Sequence, residues 1–189
     1  VVDSMTGGVE GIRTKMLARR RGLSDGATVQ ASALVVERLL GLPELFSAGT
    51  VGAYMGVRGE VDPSLLRNDR RFEVALPVVS TGEALRFVVP DEPLLPGPYG
   101  IPQPGSGREL DPCSLDVVLV PLVVADLRGN RVGHGGGYYD RTFAECRGRE
   151  DGGPLLIGIC HAFQVVDALE ARPWDVPVDL LVTDAGLIR

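Results

Sequence analysis

The sequence predicts a layered α/β domain with a largely parallel sheet. Two patterns carry that expectation: short apolar runs bounded by glycine, proline and acidic residues, and helix-like segments lying between several of them. A third observation supports it. "DVVLVPLVVAD" (116–126) and "PLLIGIC" (154–160) are apolar almost throughout, as expected of strands buried on both faces.

The chain opens on two helices. Val9, Ile12, Met16 and Leu17 recur at helical spacing across Val9–Arg21, with arginines on the other faces, and Gly22 ends the element. The cluster Arg19–Arg21 reads as a solvated helix face. Asp25 is the expected cap of a second helix over 27–40, whose Val29, Leu34, Val35 and Leu39 fall on one stripe, and "GLP" at 41–43 stops it. Further strands are expected in "TVGAYMGV" (50–57), "FEVALPVV" (72–79), "ALRFVVP" (84–90) and "DLLVTD" (179–184), and helical segments at 63–70, 138–147 and 164–171. The Pro/Gly-rich stretch 90–107 reads as a long functional loop inside one domain, not as a linker.

Composition narrows the function classes. A chain of 189 residues that is 44% hydrophobic can bury one substantial core. Its net charge of -6 argues against a general nucleic-acid binder, while leaving room for a local basic pocket. The three cysteines, Cys113, Cys146 and Cys160, form no CxxC pair; no disulfide framework is expected, and a reduced, cytoplasmic setting fits. With two histidines, His134 and His161, a zinc cage is not expected. Neither a signal peptide nor a membrane-length apolar run is visible, so no membrane partner is expected. Cys160 and His161 read as a packed thiol and a strand-end polar residue, not as a catalytic pair.

The stretch "NRVGHGGGYYDR" (130–141) places four glycines in the five positions 133–137. Glycine loses the most conformational freedom on folding, so such density marks either a ligand-free turn or a close approach of backbone to a ligand. Successive backbone N–H groups between a strand and a helix suit an anion. The standard phosphate signatures are absent, because Tyr138 stands where a P-loop lysine or a third fingerprint glycine would be. The neighbours favour a ligand: Arg131 and Arg141 can neutralise phosphate charge, Tyr138 and Tyr139 offer hydroxyls and stacking faces, and Asp140 can hold Mg²⁺.

This loop resembles the signature of the 5-formyltetrahydrofolate cyclo-ligase family. The arginine helix, "GVRGEVDPSLL" (56–66), "YGIPQP" (99–104), the glycine loop and "WDVPVDLLVTD" (174–184) follow in the family's order. The resemblance implies a three-layer α/β/α single domain with a mostly parallel central sheet over 1–189, with 1–8 as an N-terminal tail. It implies a monomeric enzyme that uses ATP and Mg²⁺ to convert 5-formyltetrahydrofolate, with or without a polyglutamate tail, to the methenyl form. For ATP it points to Arg13, Arg131, Val132, Gly133, His134, Gly135, Gly136, Gly137, Tyr138 and Tyr139. For the folate it points to Met55, Glu60 and Tyr99, together with the 134–138 part of the loop. Arg131 and Tyr138 are the expected catalytic groups, and Asp140 and Asp175 the expected metal ligands, with Asp179 as rival to Asp175.

The chemistry agrees. A formamide is a poor electrophile and hydroxide a poor leaving group, so transfer of a phosphoryl group to the formyl oxygen makes ring closure by N10 feasible. Such transfer needs positioning and charge more than a protein nucleophile, and no nucleophile motif is present. The chain departs from the family in three places. Val9 stands where relatives carry lysine, His134 where tyrosine or arginine is usual, and Gly136 where some have lysine; Lys15 or Arg19 could supply the missing cation. A binding protein of the same fold that no longer catalyses, and an unrelated sugar-phosphate-binding α/β enzyme, remain as alternatives.

Overall fold

The computed structural model describes residues 8–149 and 152–189. Residues 1–7, most of the expected tail, lie outside the described residues, and Gly8 is already the N-cap of the first helix. Helix α1 spans Val9–Arg21 and stops at Gly22 as predicted. Helix α2 runs Asp25–Leu40, and its cap is Ser24, not Asp25: the Ser24 hydroxyl accepts the Ala27 N–H at 3.2 Å. The buried face of α2 is Ala31, Ser32, Val35, Val36 and Leu39, so Val29, at 68% exposure, lies off the stripe. The face that turns inward packs Val35, Val36 and Leu39 into the core and includes Ser32, whose hydroxyl accepts the Asp62 N–H at 2.9 Å. A short helix α3, Pro43–Phe46, follows, with proline in its first turn, where a missing N–H costs nothing.

The strands then come in order. β1 is Thr50–Gly52, β2 Glu73–Val78 and β3 Arg86–Pro90. The long proline-rich segment folds back on itself as the hairpin β4 (Leu95–Pro96) and β5 (Pro102–Gln103), and Gln103 Oε1 accepts the Val79 N–H, so this segment belongs to the same domain. Next are β6 (Gly107–Leu110), β7 (Val117–Pro121), β8 (Val124–Asp126) and β9 (Arg131–Val132). Helix α4 covers Tyr138–Phe143. It is followed by β10 (Leu155–Cys160), β11 (Val165–Val166), β12 (Leu180–Thr183) and β13 (Leu187–Ile188).

Five strands run parallel in the spatial order β2-β1-β7-β10-β12, and antiparallel strands extend both edges, β13 beyond β12 and β3 then β6 beyond β2. Alternation along β7 divides the core: Val117 and Leu119 pack with α2 and α3, Val118 and Val120 with α4. These are the three expected layers. The order turns at β1 and β7, whose chains continue to opposite sides, and the carboxyl ends of such a pair open a ligand crevice.

The apolar run 116–126 is two strands, not one. Pro121 has no N–H to continue the ladder, and the chain leaves the main sheet there for a small sheet ordered β11-β8-β9. The bared carbonyls of Leu122 and Val123 accept from the fully buried Gln164 Nε2 at 3.2 and 2.8 Å. This explains why no helix forms at 164–171: Gln164 is committed to that break and to the His161 N–H, and Val165–Val166 pair with Ala125–Asp126. Similarly, 63–70 makes a 3-10 turn at Ser64–Asn68, and 138–147 breaks after Phe143.

Cys113 and Cys146 form a disulfide, with Cα atoms 5.2 Å apart, contrary to the expectation of no bridge. The fold brings the turn before β7 against the end of α4, a contact invisible in Cys spacing, and the cysteine argument for a reduced compartment falls with it. Cys160 is free and buried, as expected, and burial, reinforced by the Asp184 charge, pushes its thiol up to about 12. Among the described residues, no helix is long and apolar enough to cross a membrane.

The turn between β8 and β9 hangs on Asp126, fully buried, which accepts hydrogen bonds from the N–H groups of Arg128, Asn130 and Leu169 and from Asn130 Nδ2. Burial alone would raise its carboxyl; the hydrogen bonds from Asn130, Leu169 and Arg128 outweigh that and hold it low. Asp126→Ala orphans these donors and is expected to cost at least about 3 kcal/mol in urea unfolding at pH 7. A depressed carboxyl stabilises above its unfolded value near 4 and ceases to as pH falls through its folded value. The gap between wild type and variant should therefore shrink from pH 7 to pH 3, and a pH-independent gap would refute the assignment.

Candidate active site

The carboxyl ends of β1 and β7 lead into the two segments that face each other here. After β1 the chain makes a tight turn at Val57–Glu60, with Arg58 at φ 53° and Gly59 at φ 76°, both central residues left-handed as in a type I′ turn. The Glu60 carboxylate closes it by accepting the Val57 N–H at 3.2 Å. After β7, through β8 and β9, comes the glycine loop. Gly135 (φ 96°) and Gly137 (φ 63°) hold left-handed conformations that side chains rarely adopt, which is what their glycines are for.

Three arginines and a histidine brace this loop. Arg13 Nε donates to the Gly133 carbonyl at 3.0 Å, and Arg141 Nη2 to the Gly136 carbonyl at 2.7 Å. His134 Nε2 lies 3.1 Å from Glu60 Oε1 and 3.1 Å from Arg20 Nη2. Through the Gly133 and Gly136 carbonyls and the His134 ring, the loop is held from α1, from α4 and from the Glu60 turn.

Arg131 lies in β9 under the loop, its side chain only 5% exposed. Its Nη1 donates to Asp140 Oδ1 at 2.9 Å, while Nε and Nη2 are buried with no hydrogen-bond partner. A buried guanidinium with two idle donors is costly unless something accepts from them. Asp140 Oδ1 also accepts the Val176 N–H at 3.1 Å, which brings the segment containing Asp175 to α4. Asp175 itself closes a local turn through the Arg172 N–H. Asp179 is engaged elsewhere: it accepts from Leu156 N–H and Arg147 at the amino ends of β10 and β12.

Tyr99, at the tip of the β4–β5 hairpin with φ 61°, is 58% exposed, and its hydroxyl is 3.3 Å from that of Tyr138. That contact, with some desolvation, raises the Tyr138 phenol above its ordinary value. Tyr139 instead turns inward and stacks on Phe143, with ring centroids 6.2 Å apart. Met55 is half-buried against the core on the α2 side of the sheet. A cavity of about 480 Å³ lies away from all of this, beside Cys113, Asp116 and Leu155 at the amino ends of the strands.

A family model described as the 5-formyltetrahydrofolate cyclo-ligase family matches residues 6–184. The chain belongs to that family. It is therefore a cyclo-ligase-family enzyme. It is 32% identical over 181 residues to the 5-formyltetrahydrofolate cyclo-ligase of Haemophilus influenzae, covering 90% of this chain and 95% of the relative. The Escherichia coli cyclo-ligase is 32% identical over 176 residues, 87% of this chain and 94% of the relative. Among solved structures, the NMR structure of the Aquifex aeolicus 5,10-methenyltetrahydrofolate synthetase superposes with a TM-score of 0.83 at 33% identity, covering 95% of this chain and 91% of that one.

The cyclo-ligase fold thus gathers Arg13, Glu60, Arg131, His134, Tyr138 and Asp140 around one loop. Sequence reasoning missed Arg20, read as part of a solvated cluster; it is only 2% exposed and lies 3.4 Å from Glu60 Oε1. The signal was there: Arg13 and Arg20 are seven residues apart, two helical turns, hence on one face of α1.

Proposed function

We propose that this protein converts 5-formyltetrahydrofolate to 5,10-methenyltetrahydrofolate, consuming ATP with Mg²⁺ and releasing ADP and phosphate. The observation that carries the reading is the braced glycine loop, with the idle donors of buried Arg131 beneath it and Glu60 facing it.

In this reading the backbone N–H groups of 133–137, with Val132 at the loop's root and Tyr139 packed beneath it, cradle the triphosphate, and Arg13 keeps the loop's shape through the Gly133 carbonyl. The γ-phosphoryl group moves to the formyl oxygen. Arg131 Nε and Nη2 take the charge that this transfer spreads over phosphoryl oxygens. N10 then attacks the formyl carbon, the carbon–oxygen bond breaks, and phosphate leaves with the oxygen while the N10 proton passes to solvent. Tyr138, protonated at neutral pH as any ordinary phenol is, donates a hydrogen bond to the departing oxygen, with Tyr99 orienting it. Glu60 accepts from the amino-pyrimidine edge of the pterin, and Met55 supplies an apolar wall.

Among the described residues, no group of three His, Cys, Asp or Glu gathers to hold a metal. That suits Mg²⁺, which takes one or two carboxylates and fills its shell from phosphates and water. Asp140, through Oδ2, and Asp175 would hold it. When bound, it neutralises charge between the phosphates.

The test is methenyl absorbance on mixing protein, 5-formyltetrahydrofolate, ATP and Mg²⁺, with ATP and Mg²⁺ omitted in turn; no product in the complete mixture overturns the reading. Thermal stabilisation by sugar phosphates but not by folates would point to the other class of enzyme. Glu60→Gln is expected to raise the folate KM roughly 30-fold, the value of a charge-assisted hydrogen bond, and the ATP KM by less than about fivefold. Equal changes in both would remove Glu60 from the pterin.

A further inference from the structure

Three groups meet at one point in this site: Arg20 from α1, Glu60 from the turn after β1 and His134 from the glycine loop. His134 Nε2 is 3.1 Å from both Arg20 Nη2 and Glu60 Oε1, and Arg20 Nη2 is 3.4 Å from the same Oε1. Arg20 and Glu60 are buried, His134 is 47% exposed, and Arg20 keeps Nε and Nη1 buried without a partner.

The donor inventory makes this triangle a contest. Arginine only donates and a carboxylate only accepts. If Nε2 carries hydrogen, it donates to Glu60 and has no lone pair for Arg20. If Nε2 is bare, it accepts from Arg20 and faces Glu60 with no hydrogen between them. All three contacts cannot be made together. A ligand that donates to Glu60 Oε1 draws on the same oxygen that His134 and Arg20 share, which shifts His134 toward Arg20 and steadies the glycine loop from below.

We infer that Arg20 is a positioning residue that couples the two substrate sites, so that occupation of Glu60 by the folate organises the loop that receives the nucleotide. This rests on the folate and nucleotide reading above. Coupling of this kind is a free energy shared between sites, and the folate's effect on nucleotide affinity equals the nucleotide's on folate affinity. Arg20, two helical turns along the face from Arg13, is a second charge that α1 brings under the loop.

The experiment measures binding of a non-hydrolysable ATP analogue with Mg²⁺ by calorimetry, with and without saturating 5-formyltetrahydrofolate. In the wild-type protein the folate is expected to tighten nucleotide binding at least fivefold. In Arg20→Met the factor should fall below two. Arg20→Lys keeps a buried cation, and so the fold, but a single ammonium cannot serve His134 and Glu60 as a fork does; its factor should lie between. A general loss of packing would lower the melting temperature without selectively erasing the coupling. Wild-type coupling in a folded Arg20→Lys, or two ligands that bind the wild type independently, overturns the inference alone. Failure of the wild type to bind either ligand overturns the proposed reaction and this inference with it.

Discussion

Arg131→Met is expected to lower turnover roughly a thousandfold, the scale on which a buried charge aimed at a transferring phosphoryl group acts. The side chain is well suited to be measured, because it is buried, held at one end by Asp140 Oδ1 at 2.9 Å and idle at Nε and Nη2. Methionine keeps much of the stem's volume, so β9 and its pairing with β8 should survive, and Asp140 retains the Val176 N–H. Arg131→Lys should recover part of the rate, since it restores charge without the planar fork. Turnover from methenyl absorbance, beside near-ultraviolet circular dichroism to confirm the fold, is the check. A folded Arg131→Met within tenfold of the wild-type rate would remove Arg131 from the chemistry.

The second large effect concerns stability. The Cys113–Cys146 bridge closes a loop of 33 residues that contains β7, β8, β9, the glycine loop and α4. By the loop-closure model such a link stabilises by about 4 kcal/mol, mostly by restricting the unfolded chain. Cys113→Ala with Cys146→Ala is then expected to lower Tm by roughly 8–16 °C for a domain of this size. The same drop should appear when the wild-type protein is melted after reduction, while the double variant ignores the reductant. Identical melting of oxidised wild type and double variant would show that the bridge adds nothing.

How far these features could be read from the residues differs from element to element. Helix α1 was legible to its last residue because an apolar stripe and a stopping glycine are local facts. The strands β7 and β10 announced themselves as continuous apolar runs, and the loop at 133–137 by glycine density. The small sheet was hidden, because β11 exists only through its pairing with β8, and Gln164 is buried only because Pro121 bares two carbonyls some forty residues earlier. Arg20 was hidden for the same kind of reason. Arg19, Arg20 and Arg21 are alike on paper, and what singles out the middle one is the turn at Val57–Glu60 lying over it, with the Arg20 carbonyl 3.0 Å from where a Gly59 side chain would begin. The cysteine pair depends on where α4 ends, which no spacing rule encodes.

The departure of the chain from the main sheet at Pro121 gives the molecule two structural units with different tasks. The parallel strands form one sheet, while the glycine loop, the site of the proposed ligands, stands on its own three-stranded platform. If the proposed reaction holds, grafting a different 133–137 segment onto that platform should change ligand preference while leaving the main sheet intact.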